Sequence, residues 1–418
     1  MVSSSLRQKA LFVYVHIHNT PMLRRPLNPI YLITGAVIAI LLVYQWVYQP
    51  RWLHAGVGAV VNVGRISAAQ EGMQDIRNST LGFEKIFVVS LPLRTDRRDS
   101  MTLAAALSDI DIEFIDGVNG STIPDKALPN TFSHDRPGDS TVGAWRGHIN
   151  AIQEVVRRNL SSALIMEDDG DWDVRIRDQL RDFALSSHAL TQPLASTKYG
   201  RYADITYPKP PDTLPSSVPD IEFGRLPVTV APISSPYGDE WEVLWLGHCG
   251  MHFPFTDRNV VPKGRVVQFD ETVPERRHLW TISEPNDLKE QYLDHMRVTH
   301  HVQDGVCSLA YAVTQKSARK LLYELGLKDV NAAFDIMLRW FCEGNGEPNR
   351  GYHNCLTTMP SLFHIHLAAG PKRYASDISD HGEGYQEEST SVVRTSVKMN
   401  AAALMAGQTE LADAYPDA

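Results

Sequence analysis

The sequence has no Gly-rich phosphate loop, no Cys/His spacing of the zinc-binding kind and no Gly-x-Ser-x-Gly elbow, which argues against kinases, zinc enzymes and serine hydrolases. It also lacks an excess of positive charge. Forty Lys and Arg stand against 49 Asp and Glu, a net charge of −9, where a nucleic-acid binder would normally show a basic balance. Cysteine is scarce, and Cys249, Cys307, Cys342 and Cys355 all fall in the C-terminal half. An even set permits two disulfides in an oxidising compartment, with three connectivities open. Cys342 with Cys355 is the pair expected first, and four reduced, buried cysteines are the alternative. No internal repeat is evident. With 43% apolar and 21% charged residues, a sizeable packed core is expected rather than wholesale disorder.

One long apolar run is present. Residues 30–48, IYLITGAVIAILLVYQWVY, carry no charge; as a helix they would span roughly 28 Å, close to the hydrocarbon thickness of a bilayer. Tyr31 stands at one end and Tyr44, Trp46, Tyr48 and Trp52 at the other, where aromatic rings settle at membrane interfaces. Arg7, Lys9, Arg24 and Arg25 precede the run, so the positive-inside bias keeps residues 1–29 cytoplasmic and sends the rest across. A cleaved signal peptide is the alternative. The depth and length of the run, and the lack of a clean small-residue cleavage site after it, disfavour that reading. Sequons at Asn78, Asn119 and Asn159 fit a lumenal placement. Residues 49–82 read as a stem, and 381–418 as a poorly ordered tail.

Between these flanks strands and helices alternate, over 83–380. Lys85–Leu91 is a β-branched run stopped by Pro92, and Thr95 or Asp96 can cap a helix through Leu107. Ile112–Ile115 is a second strand, ending in Asp116-Gly117. Trp145, Ile149, Ile152 and Val156 then recur at helical spacing. Ala163–Met166 is a third strand. This order predicts an α/β domain with a mostly parallel sheet covered by helices. The proline-rich stretch from 188 to about 240 predicts an irregular excursion, within an insert that reaches about 305. Further strands are expected at 242–246, 266–269, 278–282, 307–313 and 357–363. A helix capped by Thr314 should end at Gly326, and another should span 331–342.

The third strand runs straight into Glu167-Asp168-Asp169, at the carboxyl end of a parallel sheet, where open α/β folds bind ligands. Adjacent carboxylates repel, so their clustering suggests a compensating hard cation such as Mn2+ or Mg2+. A solvated acidic turn is the plainer alternative. Arg94, Arg97 and Arg98, just past the first strand, can meet a phosphate-bearing ligand, or simply pair with Asp96 and Asp99. His148 sits beside the apolar face of its helix. His364 and His366 alternate out of a late strand and point the same way; either can complete a metal site or lie on the surface.

In order along the chain, KIFVVSLPLRTDRR, EFIDGVNG, GAWRGHINAIQEVV, ALIMEDD, LAYAVTQKSARKLL, NAAFDIML and the triplet Ser376-Asp377-Ile378 resemble glycosyltransferase family 25. That family includes lipooligosaccharide and procollagen galactosyltransferases. The resemblance covers about residues 84–170 and 305–380, and the WEVLWLGHCG stretch is similar to fungal members. It implies a GT-A-like, Rossmann-type fold and a nucleotide-sugar donor, commonly a UDP-hexose such as UDP-galactose. Transfer would invert the anomeric carbon and go to a hydroxyl of a glycan or glycoprotein acceptor. The whole would be a type II Golgi or ER membrane enzyme. The implied site places Leu91, Arg94, Arg97, Arg98, Asp116, Gly117 and His148 around the donor. Glu167, Asp168 and Asp169 would hold the metal, with His366 able to complete it. Asp335 is the expected acceptor base, with pairing to Arg339 as its structural alternative. Gly147 stands where the family often has serine before the histidine. A non-catalytic module that keeps the fold and a metal-dependent sugar-nucleotide hydrolase are the rival readings.

Overall fold

A computed structural model of the chain describes residues 73–418, except 130–134, 198–199, 212, 214–216, 258–259, 347–349 and 379–380. The membrane anchor expected at 30–48, the tail before it and residues 49–72 of the expected stem lie outside the described residues; residues 73–82 are described, and Ile76 and Leu81 among them are buried in the domain. Among the described residues no helix is long and apolar enough to cross a membrane.

The strands are, in chain order, β1 (Lys85–Ser90), β2 (Glu113–Asp116), β3 (Ser162–Glu167), β4 (Gly170–Trp172), β5 (Ile221–Glu222), β6 (Val243–Gly247), β7 (Arg265–Phe269), β8 (Met296–His301), β9 (Ala310–Thr314), β10 (Cys355–Met359), β11 (Phe363–Leu367), β12 (Gly370–Pro371), β13 (Tyr385–Gln386) and β14 (Thr390–Ser391). The α-helices are α1 (Thr95–Leu107), α2 (Asp139–Arg157), α3 (Ile176–Thr191), α4 (Asp287–Gln291), α5 (Gln315–Tyr323), α6 (Phe334–Glu343) and α7 (Ala401–Met405).

Nine strands form one mixed sheet in the order β2-β1-β3-β9-β6-β10-β8-β7-β5. Only β9 and β8 run against the rest, so the expected parallel majority holds by direction. The strand residues alternate between two cores. Phe87 and Ile165 face the side covered by Trp145, Ile149 and Ile152 of α2, Leu321 of α5 and Phe341 of α6. Ile86, Val88, Leu164 and Met166 face Met101 of α1 and Leu180 and Phe183 of α3. Both faces of the sheet are therefore buried, which accounts for the near-continuous apolar runs of β1 and β3.

The first three strands and the helices between them lie where the periodicity predicts, and Thr314 caps α5 in a capping box with Ser317. Between 192 and 240 the described residues hold only the two-residue β5 and a 3-10 turn, as the prolines predict. Three expectations fail. Residues 279–282 form no strand, because the segment lies over the surface, with Trp280 45% and Ile282 57% exposed. Gly326 does not end its helix but sits inside a π turn, Glu324–Lys328, where the Leu325 carbonyl accepts from the Trp145 indole at 2.7 Å. The third concerns residues 381–418, which are packed rather than loose. Strand β14 pairs with β11 and Val397 is 1% exposed. The hydroxyls of Ser391 and Ser396 donate to the fully buried carboxylate of Asp171. A carboxylate shut away from water needs such donors, and this segment supplies them.

Both possible disulfides form: Cys342 with Cys355, and Cys249 with Cys307. At the head of β6, Glu242 accepts from His353 Nδ1 at 2.6 Å and pairs with Lys320. Burial acts to raise the Glu242 pKa, but the bonds from His353 and Lys320 prevail and hold it at about 2. A carboxylate stabilised in its charged form adds stability above its ordinary pKa that is lost as pH falls toward the folded value. Glu242→Gln should therefore cost about 2 kcal/mol at pH 7. In urea unfolding, the gap between variant and parent should close as pH drops from about 4.5 toward 2; a gap constant with pH would refute the ion network.

Candidate active site

At the carboxyl ends of β1, β2 and β3 the chain encloses a cavity of about 610 Å³, within the usual size range of small-molecule sites. Its wall begins where β1 gives way to Leu91-Pro92-Leu93 and continues through Gly117–Gly120 after β2. The amino end of α2 and the acidic turn after β3 follow, and Ser376–Ile378 completes it. Close approach of α2 to the β2 loop depends on glycine. A Cβ on Gly120 would lie 1.8 Å from the Asp139 carbonyl oxygen, and one on Gly147 2.8 Å from Val89 Cγ1. Glycine at 147 thus follows from packing against β1.

Within the acidic turn the three carboxylates part company. Asp168 and Asp169 share Arg97, whose Nη1 lies 2.7 Å from Asp168 Oδ1 and 3.1 Å from Asp169 Oδ2. Arg97 also donates to the Ala375 carbonyl, tying the far wall to the acids. The other oxygen of Asp169, Oδ1, is buried and has no hydrogen-bond partner among the described residues. Burial pushes the Asp169 pKa up to about 6, against the pull of Arg97, with Glu167 and Asp168 adding to the rise. Glu167 faces elsewhere, accepting from the Ser308 hydroxyl at 2.7 Å and lying 3.5 Å from His148 Nε2. Burial works to raise its pKa, but His148, Ser308 and Arg97 hold it below the ordinary value. His148, 3% exposed, stacks on Phe334 at 4.2 Å and lies 3.2 Å from the Tyr311 hydroxyl through Nδ1.

The cavity brings together seven of the residues expected from sequence: Leu91, Arg97, Gly117, His148, Glu167, Asp168 and Asp169. The others lie outside its lining. Arg98 ties the β1 and β2 ends, donating to the Ser90 carbonyl at 2.9 Å and pairing with Asp116. Arg94 pairs with Asp96 at 2.8 Å and with Asp377, so it fastens the 376–378 segment of the wall and does not itself line the cavity. Asp335 holds two backbone N–H groups, of Cys307 at 2.7 Å and of Ile336 at 2.9 Å. It does not pair with Arg339, which turns to Asp304. His366 Nδ1 is 3.8 Å from Asp171 and has no hydrogen-bond partner among the described residues. Among the described residues no three metal-binding side chains come together, so neither Glu167 nor His366 joins the aspartate pair in such a cluster. Sequence reasoning missed Asn119 and Asp139 of the lining. The Asn119 amide oxygen accepts from the Ser121 N–H and hydroxyl, so this sequon is part of the cavity wall.

Most of this lining falls within residues 83–200, and Ser376–Ile378 falls outside them. Residues 83–200 match the family model described as glycosyltransferase family 25 (LPS biosynthesis protein). That stretch is similar to a family 25 domain. A human protein named inactive glycosyltransferase 25 family member 3 is 29% identical over 144 residues, 32% of this chain and 24% of the relative. Human procollagen galactosyltransferase 2 is 25% identical over 111 residues, 24% of this chain and 18% of its own length. Procollagen galactosyltransferase 1 of Danio rerio is 29% identical over 113 residues, 24% of this chain and 19% of the relative. The chain thus spans about a quarter or less of the length of these relatives.

Proposed function

We propose that this family 25 domain is the GT-A-like catalytic unit of a glycosyltransferase that moves a hexose, galactose first among candidates, from a nucleotide diphosphate sugar to a glycan or glycoprotein hydroxyl. The observation that carries the reading is the Arg97–Asp168–Asp169 constellation on the floor of a 610 Å³ cavity. Leu91, Val118 and Ile378 offer an apolar wall for a base. Arg97 is the cation placed to meet a diphosphate.

Mn2+ or Mg2+ fits the residues present, because Asp169 Oδ1 is buried, unpartnered and acidic. Hard cations of this kind are commonly held by one or two carboxylates, with substrate phosphates filling other positions. Asp168 and Asp169 would hold the ion, which supplies charge neutralisation for a departing diphosphate. What the chain itself contributes is position and exclusion of water. Arg97 orients the aspartate pair, Glu167 is kept charged by Ser308 and His148, and the Arg94–Asp377 pair closes one wall. The type II Golgi or ER placement remains part of the proposal and rests on the run at residues 30–48.

A second reading follows from the relatives named inactive: the cavity binds a sugar nucleotide or glycan without turnover. Thermal shift on the full-length protein with UDP-, GDP- and other sugar nucleotides, each with Mn2+ or chelator, tests both. Metal-dependent stabilisation by one donor class, followed by transfer to an acceptor glycan, is the expected result. Stabilisation without any transfer or donor hydrolysis would favour the binding module. Donor breakdown without an acceptor would favour a hydrolase, and no response to any donor would sink the proposal.

A further inference from the structure

Outside the acidic turn, Asn119 and Asp139 line the cavity with polar side chains, and both are exposed to solvent. The Asn119 amide has a fixed orientation. Its oxygen accepts from the Ser121 N–H at 3.0 Å and from the Ser121 hydroxyl at 2.8 Å. A backbone N–H only donates, so the amide nitrogen must point the other way. Among the described residues that nitrogen donates to nothing. Asp139 is held as firmly. Arg136 Nη2 donates to Asp139 Oδ1 at 3.1 Å and to the Gly120 carbonyl at 2.8 Å, while Nη1 donates to the Ile123 carbonyl at 3.0 Å. Asp139 Oδ2 has no hydrogen-bond partner among the described residues. One guanidinium thus couples the turn after Asn119 to Asp139, and the absence of a Cβ on Gly120 lets the two backbones touch. A free N–H donor and a free carboxylate oxygen stand on adjoining parts of one wall.

That pairing selects among ligand chemistries. Asp139 would repel a phosphate, and a single carboxylate beside an amide N–H makes a poor cation site, since hard cations gather several oxygens. A hydroxyl both donates and accepts, so neighbouring hydroxyls of a sugar satisfy both groups. The wall of Leu91, Val118 and Ile378 suits a base. The sugar to be transferred has to sit where a second substrate can enter, on the side open to solvent. We propose that Asn119 and Asp139 bind hydroxyls of the donor's hexose and so set which sugar is accepted. The assignment rests on the donor-site reading. The Asn119-Gly120-Ser121 sequon bears on it, because a glycan on the amide nitrogen would take that nitrogen from the cavity.

Isothermal titration of the full-length protein in Mn2+ tests it, comparing UDP-galactose with UDP for the parent, Asn119→Asp, Asn119→Ser and Asp139→Asn. Asp and Ser cap a turn about as well as Asn, and Asn in place of Asp139 keeps an oxygen for Arg136. Melting temperatures should therefore stay close to the parent's. Each variant should bind UDP-galactose roughly three- to tenfold more weakly and bind UDP as the parent does. Asn119→Ser controls for the charge that Asn119→Asp adds near a diphosphate. Peptide mass spectrometry should find Asn119 unmodified. Equal losses for UDP and UDP-galactose, no loss for either, a loss in Asn119→Asp alone, or a glycan on Asn119 overturns the assignment. A parent that binds neither compound removes the UDP-galactose reading itself, and the assignment with it.

Discussion

Asp169→Asn is expected to lower glycosyl transfer by roughly 10²- to 10³-fold while making the metal-free protein more stable at pH 7. The two effects share a cause. Asp169 is buried beside Glu167 and Asp168, one of its oxygens has no partner, and its pKa is pushed up to about 6. A carboxyl that binds its proton more tightly when folded than when unfolded makes stability fall as pH rises from about 4 through about 6. Asparagine does not titrate, so its gain should be full above about pH 6 and absent below about pH 4, on the order of 1–3 kcal/mol. Denaturant unfolding with chelator across pH 4–8 reads the stability, and transfer from a UDP-hexose reads the activity. A variant less stable than the parent at pH 7, or one with full activity, would show that Asp169 is a structural acid. The trade is the usual one for a site whose electrostatics serve a ligand rather than the empty fold.

Removing the Cys249–Cys307 disulfide is the second large effect. The bond closes a loop over a sequence separation of 58, against 13 for Cys342–Cys355. On chain entropy alone the losses should be about 4 and about 3 kcal/mol respectively. The longer loop has a further consequence. Cys307 adopts φ +63 and its N–H is held by Asp335. The next residue, Ser308, donates to Glu167, and the Leu309 carbonyl accepts from Glu167 N–H at 2.9 Å. Cys249→Ala/Cys307→Ala should therefore lower both the melting temperature and donor-induced stabilisation at temperatures where the protein is still folded. Cys342→Ala/Cys355→Ala should lower the melting temperature while leaving donor stabilisation largely intact. Equal loss of donor response in both would break the link between Cys307 and the site. That link also gives Asp335 its role, which is to hold a left-handed residue two positions ahead of Leu309.

Part of this was legible along the chain. Apolar runs of four to seven residues, helical recurrence from Trp145 to Ile152 and the Thr314 cap are local signals, and local sterics and burial decide them. A carboxylate triplet behind a buried strand also places a ligand site at the sheet's carboxyl edge, because parallel strands must end there together. The sequence by itself therefore determined the α/β class, the position of the candidate site and the family motifs around it. It did not determine which carboxylate does what. Glu167, still in β3, turns to Ser308 and His148, while Asp168 and Asp169, past the strand end, turn to Arg97. That division depends on α1, α2 and the loop before β9 converging on one turn. Likewise Arg94, Arg98 and Asp335 have residue types suited to catalysis, yet each is consumed by a partner distant in sequence or by backbone. The acidic C-terminal composition suggested disorder. Only the tertiary structure, by burying Asp171 and requiring donors for it, brought Ser391, Ser396 and the Lys398 backbone against β4. Charge and hydrogen-bond satisfaction are settled by whichever groups meet in space, and spacing along one chain does not encode those meetings.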